Sequence, residues 1–286
     1  MKLDLLWRGP LASCNYGCAY CPFGKRVDGT AELEVDRRAL ERFVGWAESR
    51  AGDELGVLFT PWGEALTRRW YREAMVRLSQ LPQIRRVAAQ TNLSTPPGWL
   101  READVKKVAL WCTYHPEWTE RARFLGHVTE LRALGVKVSV GTVGFRRFFD
   151  EIEALRAELP SDTYLWVNAV KDGSEAPYSE TELTRLLRTD PHIGDNAVEH
   201  RSLDEGCRTG ADVVSVDGDG VIRRCHFVKE PIGHLYQDGG IEAALGERPC
   251  PNPTCGCHIG YVHLDRLRLR PVYGDGILER VLAERR

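Results

Sequence analysis

Through the first two thirds of the chain, short apolar runs rich in β-branched and aromatic residues alternate with segments whose apolar positions recur every three to four residues. That alternation predicts repeated βα units and a parallel sheet. Six strands are expected, at 3–8, 56–60, 84–91, 107–113, 136–143 and 163–170, each bounded by Gly, Pro or Asn. The intervening helices carry apolar stripes. Val35, Leu40, Phe43, Val44 and Ala47 line one face of the first, and Phe148, Ile152, Leu155 and Leu159 do so in the fifth. Gly135 is placed to close the fourth helix, and Ser179 with Glu182 forms a capping box that opens the sixth. Six right-handed units give an α/β fold, a partial (β/α)6 TIM-like barrel, open and crescent-shaped.

After about Cys207 the pattern changes. A β-hairpin is expected at 212–216 and 221–225, turned by Asp217-Gly218-Asp219-Gly220. The Pro-, Gly- and Cys-rich segment that follows has too few apolar residues to pack by itself, so it needs a staple. Cys207, Cys225, Cys250, Cys255 and Cys257 are the obvious one. Two units follow: a barrel over 1–200 and a small Cys-rich domain over 201–286.

Composition narrows the partners. With 39 basic and 41 acidic side chains in 286 residues the formal net charge is -2, so no global basic field gathers nucleic acid or an anionic membrane. Small molecules or peptides are the expected partners. No charged-then-apolar leader and no apolar run near about 20 residues is present, which predicts a cytoplasmic protein. In such a chain nine cysteines point to metal ligation or catalysis rather than disulfides.

The densest chemistry lies at Cys14-Asn15-Tyr16-Gly17-Cys18-Ala19-Tyr20-Cys21. Three thiolates from one tight loop can ligate three corners of a four-iron cubane, leaving one iron open to a small molecule. A structural zinc knot uses the same residue type, and spacing alone does not separate the two. The Cys-x3-Cys-x2-Cys loop after a first strand, with aromatic Tyr20 before its last cysteine, closely resembles the signature of the radical S-adenosylmethionine (radical SAM) enzymes.

That resemblance directs attention to the C-terminal strand ends, where β/α barrels carry their ligand-binding residues. Thr60-Pro61-Trp62-Gly63-Glu64 resembles the family's Gly-Glu motif for the amino group of AdoMet. Gly63 would admit ligand to the backbone, and Glu64 would supply an acceptor for an ammonium. Thr91 and Asn92 look like the segment bordering the cofactor and substrate cavity. The resemblance also implies that Tyr20 lies by the adenine and Asn168 near the ribose or substrate. Asparagines that follow strands also cap turns.

Cys112 and His115, after the fourth strand, are the candidate catalytic residues. Cys112 is expected to donate hydrogen to a substrate radical if its side chain faces the cavity, and otherwise to be a small core hydrophobe. His115 is a candidate base or AdoMet contact. The C-terminal cysteines resemble the auxiliary-cluster domain of the SPASM/Twitch branch. Five thiols support one auxiliary [4Fe-4S] cluster with one left over among Cys250, Cys255 and Cys257, while a zinc ribbon is the alternative. The resemblance implies reductive cleavage of AdoMet to a 5′-deoxyadenosyl radical, fed by an external electron donor such as flavodoxin or ferredoxin. Hydrogen abstraction from a sugar, cyclitol or nucleoside would lead to dehydrogenation or epimerisation. A ribosomal-peptide maturase and a non-catalytic zinc scaffold are the competing readings.

Overall fold

The computed structural model describes residues 1–23 and 26–283. Six parallel strands, β1 (Lys2–Arg8), β2 (Glu54–Phe59), β3 (Ile84–Thr91), β4 (Val108–Thr113), β5 (Lys137–Val143) and β6 (Leu165–Asn168), lie side by side in chain order. Each matches its expected segment to within two residues at either end. The helices α1 (Thr30–Glu48), α2 (Arg69–Gln80), α3 (Arg121–Ala133) and α4 (Phe149–Glu158) cover the outer face. Between β3 and β4 the chain makes only a 3-10 stretch, Pro97–Glu102. Pro96, Pro97 and Gly98 at its start explain the shortfall, since neither prolines nor glycine sustain a longer helix there.

The expected capping box is present at the start of α5 (Glu180–Leu187), where Ser179 and Glu182 bond reciprocally. Gly135, with φ of 82°, follows α3 as its left-handed terminator. The stripe on α1 differs by one position. Val35 is 58% exposed, and Asp36 is the buried residue at 1%.

Beyond a short helix α6 (Ile193–Asn196) and strand β7 (His200–Arg201), the hairpin forms as β8 (Val213–Asp217) and β9 (Val221–Arg223). It does not stand apart from the barrel. β8 pairs in parallel with β1, Leu5 opposite Val214, and β10 (Pro231–His234) extends the same nine-stranded sheet, ordered β10-β9-β8-β1-β2-β3-β4-β5-β6. The residues expected to form a separate unit therefore continue the barrel wall past its first strand.

The concave face is filled from the far end of the chain. After α7 (Gly240–Ala244) and β11 (Thr254–Cys255), which pairs with β7, come α8 (His258–Tyr261) and α9 (Arg270–Tyr273). Ile259, Tyr261, Leu264, Tyr273, Ile277 and Leu278 pack on inward side chains of the strands, among them Leu6, Leu58, Ala88, Trp111 and Trp166. Gly141 makes room for this layer: a Cβ there would lie 2.0 Å from the Trp166 ring, its partner across the β5–β6 ladder. Burying this second apolar face explains how an incomplete barrel escapes a wet interior.

Candidate active site

β1 delivers the chain to the cysteine loop, and the three residues before Cys14 are held on both sides. Their carbonyls are taken by the β2 end: Gly63 N–H donates to the Leu11 carbonyl and Glu64 N–H to that of Ser13, both at 3.1 Å. Gly63 is required there, because a Cβ would sit 2.1 Å from the Ser13 carbonyl oxygen. Their amides are taken by two buried carboxylates. Asp28 accepts from Ala12 N–H at 2.7 Å, Ser13 N–H at 2.8 Å and the Ser13 hydroxyl at 2.7 Å. Asp36 accepts from Leu11 N–H, Trp70 Nε1 and the Tyr71 hydroxyl at 3.0, 2.7 and 3.0 Å. Asp28 and Asp36 were not identified from the sequence. The available signal was an acid inside the apolar face of α1, at a position adjacent to the one assigned to Val35.

Cys14, Cys18 and Cys21 are free thiols whose charges act on one another. Burial, ahead of every other cause, pushes Cys14 up to about 11, so its thiolate forms only when a metal binds and displaces the proton. Asn92 Nδ2 lies 3.8 Å from Cys14 Sγ, and the Asn92 backbone N–H donates to Glu64 Oε2 at 2.6 Å. This one residue connects the thiol loop to the Gly-Glu turn.

Glu64 is fully enclosed. Its Oε1 accepts from Thr91 Oγ1 at 2.7 Å and Leu66 N–H at 3.1 Å. Burial raises its carboxyl, the hydrogen bonds oppose that rise, and among the described residues no cation contributes. A buried carboxylate with three neutral donors and no counter-charge among the described residues retains acceptor capacity on Oε2 for an ammonium. Glu64 therefore also shapes the protein: it caps the 3-10 turn Ala65–Thr67 and pins the end of β3. Gly63 serves the cysteine loop's backbone.

His115 and Tyr20 meet beside Cys18. Their rings stack with centroids 6.0 Å apart, the Tyr20 hydroxyl is 2.9 Å from His115 Nδ1, and Cys18 Sγ is 3.6 Å from the same nitrogen. Burial pushes the imidazole down to about 4, which leaves it neutral and suited to hydrogen bonding a thiolate. Asn168 ends β6 with its residue exposed.

Cys112 is not in this group. Alternation along β4 sends Trp111 to the concave face and Val108, Leu110 and Cys112 to the layer under the helices. The side chain is fully buried there, and burial raises its thiol. The hydrogen-donor role expected of it is corrected on that ground, and the small core hydrophobe remains.

At the other end, the charges of Cys207, Cys225 and Cys250 act on Cys255, and burial, first among the causes, lifts Cys255 to about 12 and Cys225 to about 11. Cys257 also acts on Cys255; burial raises its own thiol, and the positive charges of Lys171, Arg8 and Arg280 oppose that rise. Among the described residues, no three His, Cys, Asp or Glu side chains converge closely enough for a single metal ion. A surface cleft of about 750 Å³ between α1 and α2, lined by Arg37, Trp70, Arg77 and Trp99, holds none of the thiols. Among the described residues no helix is long and apolar enough to cross a membrane.

The partial β/α barrel is a fold that this chain shares with proteins of known structure. Two of the solved structures that carry it serve as examples. Histidine-tagged anSMEcpe with bound AdoMet superposes with a TM-score of 0.57 at 14% identity, over 85% of this chain and 77% of that one. Native anSMEcpe with bound AdoMet and a Cp18Cys peptide gives 0.55 at 14% identity, over 85% and 80%. No family model matches the sequence, and no curated protein matches it.

Proposed function

We propose that the chain is a radical SAM enzyme that abstracts hydrogen from a small biosynthetic intermediate, such as a sugar, cyclitol or nucleoside, leading to dehydrogenation or epimerisation. The observation that carries this is the junction at Asn92, which bridges a three-thiol loop and a buried carboxylate with no cation beside it among the described residues. Three thiols fit a cubane with one open iron, and Glu64 fits the ammonium of an amino acid moiety. When bound, the reduced cluster and AdoMet supply a 5′-deoxyadenosyl radical.

This chain's residues do the rest. Cys14, Cys18 and Cys21 hold the cluster; Asp28 and Asp36 fix the loop that carries them. Glu64 orients AdoMet through its amino group, with Thr91 and Asn92 holding Glu64 itself in place. Tyr20, stacked on His115, walls the adenine side, and Asn168 offers a polar group at the barrel mouth. Cys207, Cys225, Cys250 and Cys255 would hold one auxiliary [4Fe-4S] cluster, which would supply a one-electron acceptor for an oxidative outcome. An external flavodoxin- or ferredoxin-type donor supplies the reducing electron.

A peptide substrate is the second reading, favoured by the peptide bound to anSMEcpe. Anaerobic reconstitution tests the whole. About eight irons per chain are expected for two cubanes, with 5′-deoxyadenosine formed from AdoMet and a strong reductant. Bound zinc without iron uptake, or iron uptake without 5′-deoxyadenosine, rejects the reading.

A further inference from the structure

The apolar filling of the concave face stops one inward position short of the barrel mouth. Leu6, Leu58, Ala88, Trp111 and Trp166 are the inward residues of β1, β2, β3, β4 and β6 on which residues 259–278 pack, and none is more than 5% exposed. Two residues further along each strand, alternation returns the side chain to the same face. Those positions hold Arg8, Thr60, Gln90, Thr113 and Asn168, all of them polar. β5 alone departs, with Val143 following Gly141. Arg8, Gln90 and Thr113 are half-buried and Asn168 is exposed, so solvent reaches this row while the one beneath it is dry.

The row is continuous across strands. Trp7 pairs with Phe59, which brings Arg8 level with Thr60 one step on, and the Thr60 hydroxyl donates to Gln90 Oε1 at 2.5 Å. Gln90 lies opposite Trp111, so Thr113 stands one step higher on the neighbouring strand. Beside the row stands an aromatic wall. Trp62, in the turn after β2, is 46% exposed, and the Arg8 guanidinium lies 4.3 Å from the centre of its ring. Contact with an inward-facing side chain fixes the indole at the mouth, away from the helices. Phe23 closes on the same guanidinium at 5.6 Å and on Trp62 at 5.2 Å. Arg8 Nε is buried and has no hydrogen-bond partner among the described residues.

We propose that this rim is the substrate site and that the substrate is a polyhydroxylated ring, a sugar or cyclitol, with its C–H face on Trp62 and its hydroxyls on Arg8, Gln90 and Thr113. The inference rests on the enzyme reading above and narrows its substrate class. Hydroxyl groups both donate and accept, and so do the Thr, Gln and Asn side chains of the rim; a carboxylate or phosphate only accepts and calls for donors alone. A ring with C–H bonds along one face also supplies the apolar surface that an exposed indole covers. The dry layer beneath sets the floor of the site, so the ring lies across the mouth and does not descend into the barrel.

Saturation-transfer nuclear magnetic resonance on the reconstituted holoenzyme, with AdoMet added and no reductant, tests this without radical chemistry. The probes are myo-inositol and methyl α-glucoside, compared with uridine and a capped tripeptide. The two polyols are expected to bind, with saturation greatest at their ring C–H protons. Trp62→Ala should weaken both about tenfold, equivalent to about 1.4 kcal/mol, the cost of uncovering about 55 Å² of apolar contact. Trp62→Phe keeps an aromatic face and should retain most of the affinity. Thr113→Val should weaken the polyols about fivefold, the net worth of one hydrogen bond; nearly isosteric, it keeps the test valid if Trp62→Ala does not fold. Iron content and AdoMet affinity of the parent are measured on the same samples, and their absence rejects the enzyme reading. Their presence without polyol binding, tighter binding of uridine or the tripeptide, or polyol affinities unmoved by Trp62→Ala and Thr113→Val overturns the rim proposal alone.

Discussion

Asn92 donates its backbone N–H to the buried carboxylate of Glu64 at 2.6 Å, and from that contact the end of β3 and the Gly-Glu turn act as one piece. Replacing Glu64 by Gln places an amide where three donors point, so one donor faces another. We expect Glu64→Gln to take up iron normally and bind AdoMet at least about tenfold more weakly, about 1.4 kcal/mol. Titration calorimetry on the reconstituted protein measures it; an unchanged dissociation constant excludes Glu64 from the ammonium site.

Asp36 gathers Leu11, Trp70 and Tyr71. Asp36→Ala strands three buried donors at about 1–3 kcal/mol each, with partial relaxation. A loss on the order of 4 kcal/mol is expected, read from urea unfolding, together with reduced iron uptake at a loop whose cysteines lie 15 to 22 residues away in sequence.

Asp28 supplies a pH test. Burial by itself would raise its carboxyl, but hydrogen bonds from Ser13 and Ala12, with Arg26 nearby, outweigh it and hold the group below the usual range. A depressed folded value means stability present above the unfolded value of about 3.9 and lost as pH falls through the folded one. Urea midpoints of Asp28→Asn should therefore lie below the parent's at neutral pH and converge with them under acid. Parallel curves across that range contradict the assignment.

The strands were legible because their composition and their boundaries agree: β-branched and aromatic runs ending at Gly, Pro or Asn gave β1 to β6. The thiol loop was legible because its chemistry is local. What escaped were contacts between distant segments. Asp36 reads as polar surface until Leu11, Trp70 and Tyr71 come to it, and Cys112 reads as a site residue until strand parity turns it toward the helices. Neither the joining of β8 to β1 nor the filling of the concave face by 259–278 leaves a periodic trace, since both depend on pairing across nearly the whole chain.

Cys112 gives a negative control. In the helix-facing layer its replacement by Ala removes one buried sulfur, a loss of about 1 kcal/mol. Iron content, AdoMet cleavage and, if the reaction is an epimerisation, deuterium uptake from solvent should all persist. Loss of deuterium uptake alone would return Cys112 to the mechanism.

His115 lies 3.6 Å from Cys18 Sγ. Hydrogen bonds to cluster sulfurs raise reduction potentials, and one worth about 1.4 kcal/mol corresponds to roughly 60 mV in a one-electron couple. His115→Phe should lower the midpoint of the AdoMet-binding cluster by up to that amount, followed by electron paramagnetic resonance in a redox titration. An unmoved midpoint shows that the nitrogen bonds Tyr20 instead.

Sealing the concave face with a distant segment ties folding order to chain connectivity. Leu6 and Trp111 stay wetted until residues around Tyr261 and Leu278 arrive, so the barrel cannot mature strand by strand as a closed one can. Its slowest step is a long-range closure, and until it happens the interior stands open to whatever must be inserted there.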